Sequence, residues 1–330
     1  MRHIPAPFAG ATVALFALFI TLLSVAPAAE ARTALAELRV EGPGTTLDPG
    51  TWYVTGNERI RKSKPGDACV RAKGRIAVNG PTPLSLVQSG SEVNGDLSQV
   101  RVRRDEAGLF VCEIGSVLGR PFSDPAGFAG WSYYRDWEFG SAAADEIQLR
   151  GRTKILWVFS DFGLGTEANT GPALELRRVP ARSDGEFVAK VVAHGFDGTT
   201  SPVAGATIEG APAVELANGR YRVNVGRGTT TLRATRGLDI PSNQVETCMK
   251  PKLRKCPSAH GRTIVGSPRG DGLRGTKGWD TIKARGGRDR INLRKGGRDF
   301  VNCGGGKDVV LLRKGDRDDR LRKCERVRRS

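Results

Sequence analysis

The sequence predicts a mainly β, multidomain chain, and three observations carry that expectation. Asp271, Asp280, Asp289, Asp299 and Asp308 recur at steps of 9, 9, 10 and 9. Each has an apolar residue two positions on (Leu273, Ile282, Ile291, Val301 and Val310), which is the nonapeptide pattern of a short parallel β-roll. Upstream, short apolar or alternating stretches separated by Gly and Pro read as strands. The length, 330 residues, has room for two or three domains.

Residues 1–31 read as a secretory signal peptide rather than as fold. Arg2 and His3 precede an apolar run from Phe8 to Val25, and Ala26-Pro27-Ala28 and Ala29-Glu30-Ala31 offer cleavage after Ala28 or Ala31. The competing reading is an uncleaved anchor, since the run is just long enough to span a bilayer. No later stretch is apolar enough to span, so the expected location is extracellular or at the cell surface. All six cysteines follow this segment, and an even count in an exported chain suggests disulfides. Local pairs are expected: Cys69–Cys112, Cys248–Cys256 and Cys303–Cys324. Zinc is disfavoured, because there is no C-x-x-C and only His194 and His260 remain after the signal segment.

Residues 32–180 form the first expected domain. Trp52-Tyr53-Val54, Val100-Arg101-Val102 and Ile155-Leu156-Trp157-Val158-Phe159 read as strands. One helix is expected after Thr82, with Thr82 as N-cap, Pro83 at the first helical position and Leu84, Leu86 and Val87 as its apolar stripe. Nine of the 21 aromatic residues lie between Phe128 and Phe162. Among them Trp131, Tyr133, Trp137 and Trp157 are candidates to line a ligand groove. The opposing reading is that a small β-rich domain needs these rings for its core. The segments from Val78-Asn79-Gly80-Pro81-Thr82, through Gly108 to Gly115 and Gly130-Trp131-Ser132-Tyr133, to Ile155–Ser160 and Ala173–Leu176 resemble the transcobalamin C-terminal-like domain of secreted bacterial proteins. The resemblance implies a β-grasp-like α+β fold with a capacity for small-molecule or partner binding. Tyr134-Arg135-Asp136-Trp137 stands where that family carries a V-N-G segment, and cobalamin binding does not follow.

Residues 181–247 form a second unit. Its alternating stretches, with Asn218-Gly219 as a hairpin turn, resemble the small β-sandwich of carboxypeptidase-regulatory-like domains, which implies a spacer. His194 has no recognisable partner motif and is expected to be a solvated strand-end residue. Residues 248–256 read as a basic linker pinned by a disulfide, and residues 257–330 as the roll with a basic tail.

In such a roll, residues two repeats apart stack, so Asp271, Asp289 and Asp308 should line one edge and Asp280 and Asp299 the other. Gly278, Gly287, Gly297 and Gly306, two residues before four of these aspartates, supply turns at positive φ. The spacing resembles the haemolysin-type calcium-binding (RTX-like) repeats. That resemblance implies Ca²⁺ held by these five aspartates and turn carbonyls, between 271/289, 280/299 and 289/308. Arg288, Arg298 and Lys307 directly precede three of the aspartates and oppose a cation. A metal-free roll held by Arg–Asp ladders is therefore the second reading, and both stay open. Asp318–Asp319 is expected to be solvated.

Net charge is +17 overall, and residues 266–330 hold 20 Lys and Arg against nine Asp and Glu. That suits anionic cell-wall polymer as a partner; nucleic acid is the less favoured polyanion. The chain has no H-E-x-x-H, G-x-S-x-G or P-loop, so a non-enzymatic role is expected. The function these observations predict is exported binding or surface attachment. The alternatives are small-ligand binding through the aromatic cluster and a structural cell-wall protein with a metal-free roll.

Overall fold

A computed structural model describes residues 33–65, 69–105, 108–120, 124–163, 168–179, 187–225, 228–249 and 260–330. The expected signal segment, Cys256 and the expected basic linker lie outside these residues, as does the Cys248 side chain, so the expected Cys248–Cys256 pair does too. Strand accounts for 52% and helix for 5% of the chain, so the mainly β expectation holds.

The largest sheet has nine strands. Its order is Arg320–Arg322, Phe300–Asn302, Trp279–Lys283, His260–Val265, Thr45–Thr55, Ala34–Gly42, Lys154–Asp161, Ala129–Arg135 and Glu138–Phe139. The sheet therefore runs from the N-terminal region into the C-terminal repeats. The junction is a parallel pairing of Ile264 with Trp52 and of Val265 with Tyr53. Behind the N-terminal part packs the helix Pro83–Ser91, capped as expected. The Thr82 hydroxyl accepts the Ser85 amide at 3.0 Å and the Ser85 hydroxyl accepts the Thr82 amide at 2.6 Å, which satisfies two amides the helix itself cannot. A second sheet, ordered Arg71–Val78, Glu58–Ser63, Arg101–Asp105, Gly108–Ile114 and Val117–Leu118, completes this α+β layer. Cys69–Cys112 forms across it.

The sandwich starts earlier in sequence than its alternation suggests. Ala173–Val179 pairs with Val188–His194 rather than with the first sheet, because Leu174 and Leu176 point into the sandwich core with Val191, Tyr221 and Leu232. Asn218 and Gly219 have φ of 59° and 66°, the two positive values that a type I′ hairpin turn requires. A buried cluster ties this unit to the first sheet. Glu41 accepts from Arg39 at 2.7 Å and from Arg233 at 2.6 Å, and Arg39 also donates to the Pro241 carbonyl.

The C-terminal repeats form a β-solenoid of about four turns. One face stacks Leu273, Ile291, Val310 and Val327, the other Ile264, Ile282, Val301 and Leu321. Leu273 is 2% exposed and Ile282, Ile291, Val301 and Val310 are 0% exposed, so the five expected apolar positions fill the core. Trp52 and Val54 close the N-terminal end of that core. Cys303–Cys324 forms within the solenoid.

Two outcomes follow from this packing. Ile282→Ala should lower stability by about 2–5 kcal/mol, because the narrow core cannot collapse around the cavity; urea denaturation of the full chain measures it. Gly306→Ala should damage the fold at least as much, since Gly306 has φ +143° and a Cβ there would collide with the Gly287 carbonyl oxygen.

Candidate functional site

The repeat aspartates are all buried, between 0% and 8% exposed. Strand alternation explains it: the residue two before each core side chain also faces inward. Once buried, a carboxylate needs donors, and the coil before it supplies one. The Asp271 amide donates to Asp289 Oδ1 at 2.8 Å, Asp280 to Asp299 at 2.9 Å and Asp289 to Asp308 at 2.9 Å. The Asp299 amide donates to Asp319 Oδ1 at 2.8 Å and the Asp308 amide to Glu325 Oε2 at 2.9 Å. At the other end Asp280 Oδ1 accepts the Arg262 amide at 2.6 Å, and Asp271 accepts the Ser267 amide at 2.6 Å and hydroxyl at 3.1 Å. The result is a carboxylate-on-amide ladder along both edges.

This corrects two expectations. The ladder is not made of Arg–Asp pairs: among the described residues no guanidinium or ammonium group lies within ion-pair distance of the five aspartates. Arg288, Arg298 and Lys307 alternate outward and are exposed. Asp319 is also not a solvated tail residue but the next rung after Asp299. Asp319 and Glu325 were missed because the step lengthens to 20 and shortens to 17. The signal that finds them is the apolar residue two positions on, Leu321 and Val327.

The ladder leaves oxygens over. Oδ2 of Asp289, Asp299, Asp308 and Asp319 is buried with no partner. Burial, reinforced by the neighbouring carboxylates of Asp271 and Asp308, pushes the Asp289 carboxyl up to about 6. Burial, reinforced by Asp280 and Asp319, pushes Asp299 up to about 7. As a test of fit to Ca²⁺, Asp271 and Asp280 have both oxygens engaged by amide or hydroxyl donors, so the 271/289 and 280/299 pairs each offer one oxygen without a partner. Asp289 with Asp308, and Asp299 with Asp319, each offer two free oxygens. Among the described residues no group of three or more acidic, Cys or His side chains converges, so a hard cation at either place would draw its remaining ligands from turn carbonyls.

With the five repeat aspartates turned inward, and only Asp318 and Glu325 exposed among the acids of residues 266–330, the solenoid surface is cationic. Every Lys and Arg of residues 266–330 is exposed except half-buried Arg285, which reaches Glu92 at 3.2 Å.

The aromatic candidates divide. Trp131, Tyr133 and Trp157 are 7%, 6% and 1% exposed and belong to the first core. Their polar atoms are spent on the carbonyls of Val117, Ala142 and Pro83. Trp137 points to the opposite face and stacks on His194 with ring centroids 4.9 Å apart. His194 does sit at a strand end, but it is buried and bonded to Glu175 at 2.8 Å rather than solvated. The structure does not bring the four aromatics into one groove.

Among the described residues no helix is long and apolar enough to cross a membrane. Comparison with protein-family models, with curated proteins and with solved structures finds no significant match to this chain.

The raised carboxyls have a pH consequence with a definite sign. Their folded-state values lie above the ordinary 3.8. The folded chain therefore holds protons that the unfolded chain has released, and this stabilisation is full below about pH 4 and lost as pH rises through about 6 to 7. The melting temperature should fall by several degrees between about pH 5 and about pH 8. Asp299→Asn, which keeps an acceptor for the Asp280 amide, should flatten that fall.

Proposed function

We propose that the chain is an exported, non-catalytic attachment protein whose solenoid binds an anionic polymer outside the cell. The observation that carries this reading is the segregation of charge across the solenoid wall. The five repeat aspartates are buried and engaged by backbone amides, while the cations face solvent on a rigid, repeated frame. A rigid array of like charges attracts a polyanion more strongly than the same net charge on a neutralised surface. Two disulfides, Cys69–Cys112 and Cys303–Cys324, support an oxidising compartment, in keeping with the apolar N-terminal segment. Anionic cell-wall polymer is the partner class this chemistry fits.

Ca²⁺ enters the proposal as an accessory to the fold. Asp289 with Asp308, and Asp299 with Asp319, would hold it, and it would neutralise carboxylate oxygens that the amide ladder leaves unpaired. The ladder itself is complete without it.

The test for attachment is retention of the full mature chain on immobilised heparin, used as a generic polyanion. Retention should be strong at low salt and lost near 1 M NaCl, where the Debye length is roughly 3 Å. Replacing exposed Arg290, Arg326 and Arg328 by Gln should shift elution to lower salt. Retention indifferent to both changes would remove the attachment reading. For Ca²⁺, a millimolar addition should raise the melting temperature and Asp308→Asn should abolish the rise, while a chelator should leave the circular dichroism spectrum of the fold intact.

A further inference from the structure

The second sheet carries a row of like charges that nothing in the proposed attachment role requires. Arg75 pairs directly with Arg61 across antiparallel strands, and Arg61 pairs directly with Arg101 across parallel strands. Directly opposed residues point to the same face of a sheet, so three guanidinium groups stand side by side. Like charges directly opposite destabilise a sheet. The row ends on one carboxylate, Glu113, the cross-strand partner of Arg101. Arg101 and Glu113 form a buried ion pair, 6% and 5% exposed.

Above the row lies a cavity of about 370 Å³ lined by Arg61, Arg71, Arg75, Gln99 and Arg101, with no carboxylate among the described residues of its wall. Arg71 donates to the Gln99 side chain at 3.0 Å and Arg75 to the Arg59 carbonyl at 3.1 Å, so both side chains are tethered at the rim. One terminal nitrogen of Arg101 is buried away from solvent with no acceptor, so the exposed arginines that line the cavity are Arg61, Arg71 and Arg75. Burial first, then the positive fields of Arg71 and Arg61, lower the affinity of Arg101 for its proton. A buried charged donor without an acceptor is costly, and guanidinium forks match tetrahedral or planar oxyanions in paired hydrogen bonds.

The neighbouring space, about 280 Å³, shares Arg61, Arg75 and Gln99 with this cavity and is walled further by Gln88, Ser91 and Ser98. These neutral amides and hydroxyls suit a hydroxyl-rich body. Glu92, also in that wall, is held by Arg285.

We propose that this cavity binds a small phosphorylated sugar or polyol, with its phosphate on the Arg75–Arg61–Arg101 row and its hydroxyls toward Gln88, Ser91 and Ser98. The phosphate draws its hydrogen bonds from the exposed Arg61, Arg71 and Arg75 and offsets the repulsion within the row.

The test is isothermal titration calorimetry of the full mature chain with glucose 6-phosphate, inorganic phosphate and glucose, at fixed ionic strength in chloride. Glucose 6-phosphate should bind at least tenfold more tightly than inorganic phosphate, and glucose should not bind. An Arg61→Gln, Arg75→Gln double variant leaves the Arg101–Glu113 pair intact and should lose at least tenfold in affinity. Without phosphate, the same variant should melt no lower than the parent, because it removes repulsion. An Arg290→Gln, Arg326→Gln variant on the solenoid should bind as the parent does. The site is refuted if neither phosphate binds at millimolar concentration, or if the solenoid variant loses binding and the Arg61/Arg75 variant does not. Equal affinity for the two phosphates would refute the sugar contact.

Discussion

Each coil of a parallel solenoid must turn twice, and each turn brings a backbone amide inward where no strand neighbour can accept it. The chain resolves this by placing a carboxylate from the following coil against that amide. Other features of the repeat follow from this one contact. The aspartate must face inward, so the residue two positions on faces inward as well and has to be apolar. The turns must stack closely enough for the contact to form, which places glycines at Gly287, Gly297 and Gly306 with φ of +111°, +148° and +143°. The residues between inward positions must face out, and there the sequence can carry Arg and Lys without disturbing the core. An unusually basic surface and a column of buried acids are thus two sides of the same periodicity.

A stack of coils has two open ends, each a template for unwanted pairing. At the N-terminal end the chain covers the exposed strand with Thr45–Thr55, and Trp52 seals the core. Arg262 stands two residues before Ile264, the place an aspartate holds in later coils. It gives its amide to Asp280 while its guanidinium lies 3.8 Å from the centre of the Trp52 ring. Among the described residues there is no earlier coil whose amide needs a carboxylate, and the rung is replaced by a cation–π contact with the N-terminal domain. At the C-terminal end the last strands are Arg320–Arg322 and Arg326–Arg329, whose charges disfavour addition of another strand.

What was legible in the sequence was local. The Thr82 cap, the Asn218-Gly219 turn and the aspartate period each depend on residues within about one turn or repeat of one another, where spacing encodes geometry. Asp319 and Glu325 escaped a rule based on constant steps although their apolar partners, Leu321 and Val327, were in place. The pairing of Ile264 with Trp52 leaves no periodic trace, because it joins strands more than two hundred residues apart. The arginine row was invisible for a related reason. Arg61, Arg75 and Arg101 are unremarkable one at a time, and only the register of three strands makes them neighbours. The aromatic cluster misled in the opposite sense: density along the chain suggested a groove, whereas Trp131, Tyr133 and Trp157 pack inward against one another and the helix.

The two cationic regions differ in what they can recognise. On the solenoid most guanidinium and ammonium groups stand in water, Arg285 on Glu92 and Arg298 over Trp279 apart, and their attraction for anions is diffuse and screened by salt. Such a surface reads charge density and little else. In the second sheet Arg71 and Arg75 are tethered by the Gln99 side chain and the Arg59 carbonyl, and Arg61 is held in register between Arg75 and Arg101, which Glu113 fixes. Donors held in place read geometry as well as charge, because an anion that cannot meet them loses its own hydration without return. The same side-chain type thus suits a broad contact on one part of the molecule and a selective one on another, and tethering separates the two.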